Sequence, residues 1–219
     1  MGFQVKVKIC CIASPQEARL AIDFGADALG LVGEMPSGPG VISDVRIREI
    51  AEWVAPPVAT FLLSSQVTAR GICDHYGRVY TSAIQLVDQP DPDAYSVIRE
   101  TFPHLKLVQV IHVLDEKSVE EAITAAPQVD VLLLDSGNPN LQVKELGGTG
   151  RVHNWALSRL IRESVDIPVF LAGGLHAGNV RAAIDAVQPF GVDLCSGVRT
   201  GGQLDPHKLE AFFSSLDKG

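Results

Sequence analysis

The chain has little positive charge, few cysteines and no long apolar run, and each shortage removes a class of function. Against 26 acidic residues stand only 18 lysines and arginines, a formal net charge of -8. Nucleic acid and anionic membranes need a basic face, so the charge balance argues against both as partners. It does not argue against a small anion, which backbone N–H groups and a few local cations can hold. No stretch approaches the roughly 18 to 20 apolar residues of a membrane span, and Met1 to Lys8 lacks the layout of a signal peptide, so a cytoplasmic protein is expected. The four cysteines, Cys10, Cys11, Cys73 and Cys195, contain no C-x-x-C pair. Reduced thiols follow, with no metal or redox motif, and Cys10 and Cys11 would point to opposite faces if both lay on a strand.

What is present is a repeating alternation. In 219 residues with 46% hydrophobic content there is room for one packed domain covering 1–219. Apolar runs at Val5 to Ile12, Ala28 to Val32, Val58 to Leu63, Ala83 to Val87, Lys106 to Val113, Val129 to Leu134, Val169 to Leu171 and Val192 to Cys195 read as strands. Each is followed by a helical pattern, from the one opening at Ser14-Pro15 to the last, Pro206 to Leu216. Asp44 is the expected cap of the second helix. Strict alternation favours a parallel sheet and eight units favour closure, so the expected fold is α/β, a single (β/α)8 TIM barrel.

Function in such a barrel sits at the carboxyl ends of the strands. Three glycine-rich turns gather there in the last third of the chain: Gly147-Gly148-Thr149-Gly150, Gly173-Gly174 and Ser196-Gly197. Their N–H groups can surround a phosphate. The titratable residues at strand ends are Cys10, Asp88, His112, Asp135, Asp193 and Cys195. Cys10 ends the first strand and Asp135 the sixth, which sets a thiol and a carboxyl across the mouth from each other, suited to moving a proton at one small substrate. Lys8, two residues before Cys10 on the same strand face, would favour its thiolate. Only His112 is well placed to bind a metal, and Lys106 lies at the wrong end of its strand for a Schiff base, so neither metal nor covalent amine chemistry is expected.

Val7-Lys8-Ile9-Cys10, Leu133-Leu134-Asp135, Gly147-Gly148-Thr149-Gly150 with Trp155, Leu171-Ala172-Gly173-Gly174-Leu175 and Gly191-Val192-Asp193 with Ser196-Gly197-Val198 resemble, in the same order, the phosphoribosylanthranilate isomerase family. The resemblance implies a cofactor-free Amadori rearrangement of an aminoaldose phosphate. Cys10 would be the general base at C2 and Asp135 the general acid at the ring oxygen. Gly148, Thr149, Gly150, Gly173, Gly174, Ser196 and Gly197 would hold the phosphate. Lys8, Asp193 and Arg199 are further candidates for substrate contact, and a monomer or homodimer is expected.

The chain also departs from the family. The loop Pro36 to Ser43 lacks the arginine that grips the anthranilate carboxylate, Cys11 stands where the family has glycine, and Arg199 stands where it has glutamate. Arg199 is a candidate replacement cation, acting on a carboxylate or on the phosphate. Two alternatives therefore stay open: a related phosphosugar isomerase with another substituent, and a catalytically silent barrel that binds a phosphorylated metabolite.

Overall fold

A period of two along each apolar run decides what faces what. In a computed structural model that describes residues 5–216, eight strands form one closed barrel in sequence order: β1 Lys6–Ile9, β2 Ala28–Val32, β3 Ala59–Ser64, β4 Ala83–Leu86, β5 Lys106–His112, β6 Val131–Asp135, β7 Val169–Leu171 and β8 Gly191–Leu194. All pairings within it are parallel, and β1 closes on β8 with Lys8 beside Asp193 and Ile9 beside Leu194. Eight helices cover the outside: α1 Pro15–Asp23, α2 Asp44–Trp53, α3 Ala69–Val79, α4 Ala94–Thr101, α5 Lys117–Ala125, α6 Trp155–Ser164, α7 Val180–Val187 and α8 Pro206–Leu216. Among the described residues no helix is long and apolar enough to cross a membrane.

Two cores result. Val7 and Ile9, Ile84 and Leu86, Leu132 and Leu134, and Val192 and Leu194 pack outward beneath the helices. Phe61, Leu63, Val108, Val110, Leu133 and Phe170 fill the barrel itself. The same alternation turns Lys8, Gln85 and Asp193 inward, each flanked in sequence by outward apolar neighbours, and Asp135 inward after outward Leu134. Sequence order alone thus places a polar ring within a barrel that is otherwise apolar.

Several local expectations need correction. Ser14 caps α1 as expected, accepting from the Glu17 N–H, but Ser43 rather than Asp44 caps α2, accepting from the Arg46 N–H. Asp44 is the first helical residue, and its carboxylate meets Arg78 and His75 instead. The first strand stops at Ile9. Cys11 lies beyond it at φ +62°, so the two adjacent cysteines do not alternate as strand residues would. A short antiparallel pair, β9 Arg199–Thr200 and β10 Gln203–Leu204, precedes the last helix. These elements are too brief to leave a period in the sequence.

Two histidines, one buried and one half-buried, give the fold a pH limit. His75 holds the Ser64 hydroxyl at 2.8 Å, and burial pulls its pKa below 6.5 against the opposing pull of Asp44. His153, hydrogen-bonded to Ser158, is lowered by burial against Asp135. Folding holds both neutral, so below 6.5 the unfolded chain takes up protons that the native one refuses, and stability falls as the pH drops. Urea midpoints at about pH 7.5 and about pH 5.5 should show that loss, and His75→Gln should reduce it. An identical pH slope in the variant would contradict this.

Candidate active site

One cavity opens at the carboxyl ends of the strands, lined by Cys10, Gln85, Asp135, Asp193 and Ser196, the turns Gly147–Gly150 and Gly173–Gly174, and the β2 loop residues Met35 and Ser37 to Pro39. The expected base, acid and phosphate turns therefore border a single space. β6 and β1 are separated only by β7 and β8 in the closed sheet, so Cys10 and Asp135 bracket one arc, with the phosphate turns between them.

Cys10 is buried, and its N–H donates to the Leu194 carbonyl at 2.7 Å, which fixes the end of β1 to β8. Its sulfur faces Gly30 on β2. A Cβ at that position would lie 2.8 Å from Cys10 Sγ and 3.1 Å from Lys8 Nζ, so glycine there makes room for both side chains. Lys8 is wholly buried, with Nζ 2.9 Å from Asp193 Oδ2. Burial pulls the Lys8 pKa down, but the Asp193 carboxylate, helped by Cys10, more than offsets it, and the ammonium stays charged. Lys8 thus shares the interior face with Cys10 while pairing with Asp193. The other Asp193 oxygen, Oδ1, and Gln85 Oε1 have no hydrogen-bond partner within the protein although both are buried. Buried acceptors of this kind ordinarily find a donor, and both residues line the cavity.

Asp135 is 8% exposed. Its Oδ1 accepts from the Ser136 N–H at 2.7 Å, which orients the carboxyl, and its Oδ2 lies 2.7 Å from where a Cβ on Gly147 would stand. Ser136 Oγ in turn meets Thr149 Oγ1 at 2.7 Å, tying the β6 exit to the first glycine turn. Gly150, Gly173 and Gly174 all have positive φ, and a Cβ on Gly174 would come within 2.8 Å of the Gly150 carbonyl. The three turns are packed backbone against backbone. Gly197 belongs to the same β8 turn but lines the adjoining groove with His176 and Lys208.

Arg199 does not fill the role considered for it. It is buried, donating from Nη1 to Glu17 Oε1 at 2.9 Å and from Nη2 to the Cys10 and Cys11 carbonyls at 3.1 and 2.6 Å. Its cation is spent on holding the β1 exit to α1 and to the β9–β10 turn, and it does not line the cavity. Arg199→Ala would leave Glu17 without its partner, so a loss of about 3 kcal/mol in folding stability is expected, read by denaturant midpoint. A selective rise in KM with unchanged stability would restore the ligand role.

Asp88 and His112 also leave the site. Asp88 pairs with Lys144 at 2.5 Å, His112 Nε2 meets the Val87 carbonyl at 2.9 Å, and both line a separate groove near α5. Gln85 and Ser136 are the residues that sequence reasoning passed over. The signal for Gln85 was available, as a lone polar residue at the inward position of β4 between Ile84 and Leu86.

Comparison with known proteins agrees with this geometry. The family description N-(5'phosphoribosyl)anthranilate (PRA) isomerase matches residues 7–215. The N-(5'-phosphoribosyl)anthranilate isomerase of Desulforudis audaxviator is 40% identical over 210 residues, 94% of this chain and 95% of that one. A crystal structure of phosphoribosyl anthranilate isomerase in complex with reduced 1-(o-carboxyphenylamino)-1-deoxyribulose 5-phosphate superposes with a TM-score of 0.77 at 28% identity, covering 97% of this chain and 98% of that one. Monomers generated from the dimeric Thermotoga maritima enzyme give 0.76 at 27% identity, with 97% and 98% covered. A thiol and a carboxyl bracketing a glycine-lined cradle, on a chain matched from end to end by these relatives, settle the family: the chain belongs to the N-(5'-phosphoribosyl)anthranilate isomerases, the aldose–ketose isomerases that carry out the Amadori rearrangement in tryptophan biosynthesis.

Proposed function

We propose that in this isomerisation Cys10 is the general base, Asp135 the general acid and the three glycine turns the phosphate cradle. One observation carries the assignment: all of them except Gly197 border a single cavity, in an order that runs acid, cradle, base along β6, β7, β8 and β1. With the phosphate held between the two, Asp135 protonates the furanose ring oxygen, and the C1–O bond breaks to give an open-chain iminium. Cys10 then takes the C2 proton to give a neutral enaminol, and protonation at C1 with loss of the 2-hydroxyl proton completes the aminoketose. The N–H groups of Gly148, Thr149, Gly150, Gly173, Gly174, Ser196 and Gly197 satisfy the phosphate. Gln85 and the free Asp193 oxygen are left to accept from sugar hydroxyls.

The aromatic half of the substrate lies against Val32, Met35, Leu63 and Leu146, the apolar side of the cavity. Among the described residues no lysine or arginine lines that space. Affinity for the anthranilate carboxylate therefore lacks a charge-assisted pair, which is worth about 1.5 to 3 kcal/mol. The same reading puts the enzyme in the cytoplasm, as a monomer or homodimer, with no resident cofactor.

Gly174→Ala tests the cradle. The substitution meets both a positive φ and the Gly150 carbonyl, so the turn must move. Phosphate contacts persist from substrate to transition state, so their loss should raise KM by about tenfold or more and change kcat little. Unchanged KM in a folded variant would remove these turns from the site.

A further inference from the structure

Three sulfurs gather at the mouth, and the proposed mechanism uses only one. Cys195 Sγ lies 2.8 Å from Cys11 Sγ, and both cysteines are free thiols. A disulfide needs about 2.05 Å, so closure asks for less than an ångström of movement. The backbone already presents Cys11 for it. At φ +62° Cys11 occupies a conformation usual for glycine, which a residue with a Cβ keeps only where its surroundings hold it. Arg199 donates to its carbonyl, the Pro39 carbonyl accepts from its thiol at 3.6 Å, and Gly40 packs so closely that a Cβ there would stand 2.5 Å from the Cys11 Cβ.

The two thiols are also chemically unequal. The hydrogen bond between the two sulfurs draws the Cys195 pKa down, with Arg199 and Lys8 adding to it against burial and Asp193. Cys11 is pushed up by its hydrogen bonds to Cys10 and Cys195 and by burial. One sulfur is the nucleophile and its neighbour the protonated reserve, the division of labour seen in thiol–disulfide exchange.

We propose that Cys11 and Cys195 form an oxidisable dithiol site, whose reversible disulfide locks the mouth of the barrel and switches turnover off. The oxidant is a low-molecular-weight disulfide. The Cys195 thiolate attacks one of its sulfurs, forming a mixed disulfide and expelling one thiolate. Cys11 gives up its proton, attacks the Cys195 sulfur and expels the second thiolate. The protein loses two electrons, the reagent gains them, and the two thiol protons end on the two released thiols. The bond ties the residue after Cys10 to the residue before Ser196. Its effect on turnover rests on the site assignment above, whereas its formation does not.

Oxidised glutathione is the probe. The full-length chain is equilibrated with it, remaining thiols are alkylated, and tryptic peptides are mapped by mass. The expected product joins Ile9–Arg19 to Ala182–Arg199 and is lighter than the two peptides by two hydrogens. It persists in Cys10→Ser and disappears in Cys11→Gly, a substitution that suits the positive φ and so keeps the fold. Oxidation should lower wild-type turnover at least tenfold, with dithiothreitol restoring it, while Cys11→Gly keeps the activity of its own reduced state. A linkage through Cys10, no linkage, or a cross-linked enzyme as active as the reduced one would each overturn the proposal. Because the peptide map needs no turnover, an inactive reduced enzyme would count against the site assignment alone.

Discussion

Cys10→Ser and Asp135→Asn should each lower kcat by about 10² to 10⁴, the usual worth of a positioned acid or base, while ribose 5-phosphate still binds. Both replacements are close in shape to the side chains removed. Serine keeps the Cys10 backbone bond to Leu194, and its hydroxyl is too weak an acid to supply an anion at neutral pH. Asparagine retains an oxygen for the Ser136 N–H but has no acidic proton for the ring oxygen. The cradle lies between the two residues and shares no side chain with either, so phosphate affinity should change little. Equal losses of binding and turnover would show instead that these residues shape the pocket.

Lys8→Met should be the most destabilising single change away from the chemistry. Lys8 and Asp193 stand side by side in register at the base of the cavity, 0% and 7% exposed, so removing the ammonium strands a buried carboxylate. Breaking such a pair costs about 3 to 5 kcal/mol, on the order of 10 °C in melting temperature for a chain of this size. Burial, with Asp135 adding to it, pushes the Asp193 carboxyl up, and Lys8, with the Leu194 N–H, holds it back; without Lys8 it binds a proton more readily. The penalty should therefore grow as the pH rises and the lone carboxylate must ionise. Lys8→Met with Asp193→Leu replaces both charges and should recover most of the loss. A single variant with wild-type stability across the pH range would mean that the pair contributes nothing to folding.

The sequence was most legible where a period existed. Alternation of strands and helices was enough to find the barrel, and period two within β1, β6 and β8 was enough to turn Lys8, Asp135 and Asp193 inward, with Cys10 just past the end of β1. Glycine content marked the three turns, since positive φ at Gly173 and Gly174 is a backbone demand that sequence expresses directly. What stayed hidden depends on partners distant along the chain. Arg199 reads as a loop cation, and only the approach of Glu17, 182 residues away, makes it a clamp. Cys11 reads as a strand residue beside Cys10, and only its left-handed backbone brings it to Cys195. The pairing of Lys8 with Asp193 requires the closure of β1 on β8, a register no local pattern encodes.

The division of labour between thiol and carboxyl is tested most directly with substrate deuterated at C2. If Cys10 removes that proton, Cys10→Ser makes the C–H cleavage rate-limiting, and a clear primary isotope effect on kcat is expected. If Asp135 opens the ring, Asp135→Asn makes the earlier step limiting, and the effect should vanish. The reverse pattern, with the isotope effect confined to Asp135→Asn, would contradict both assignments at once.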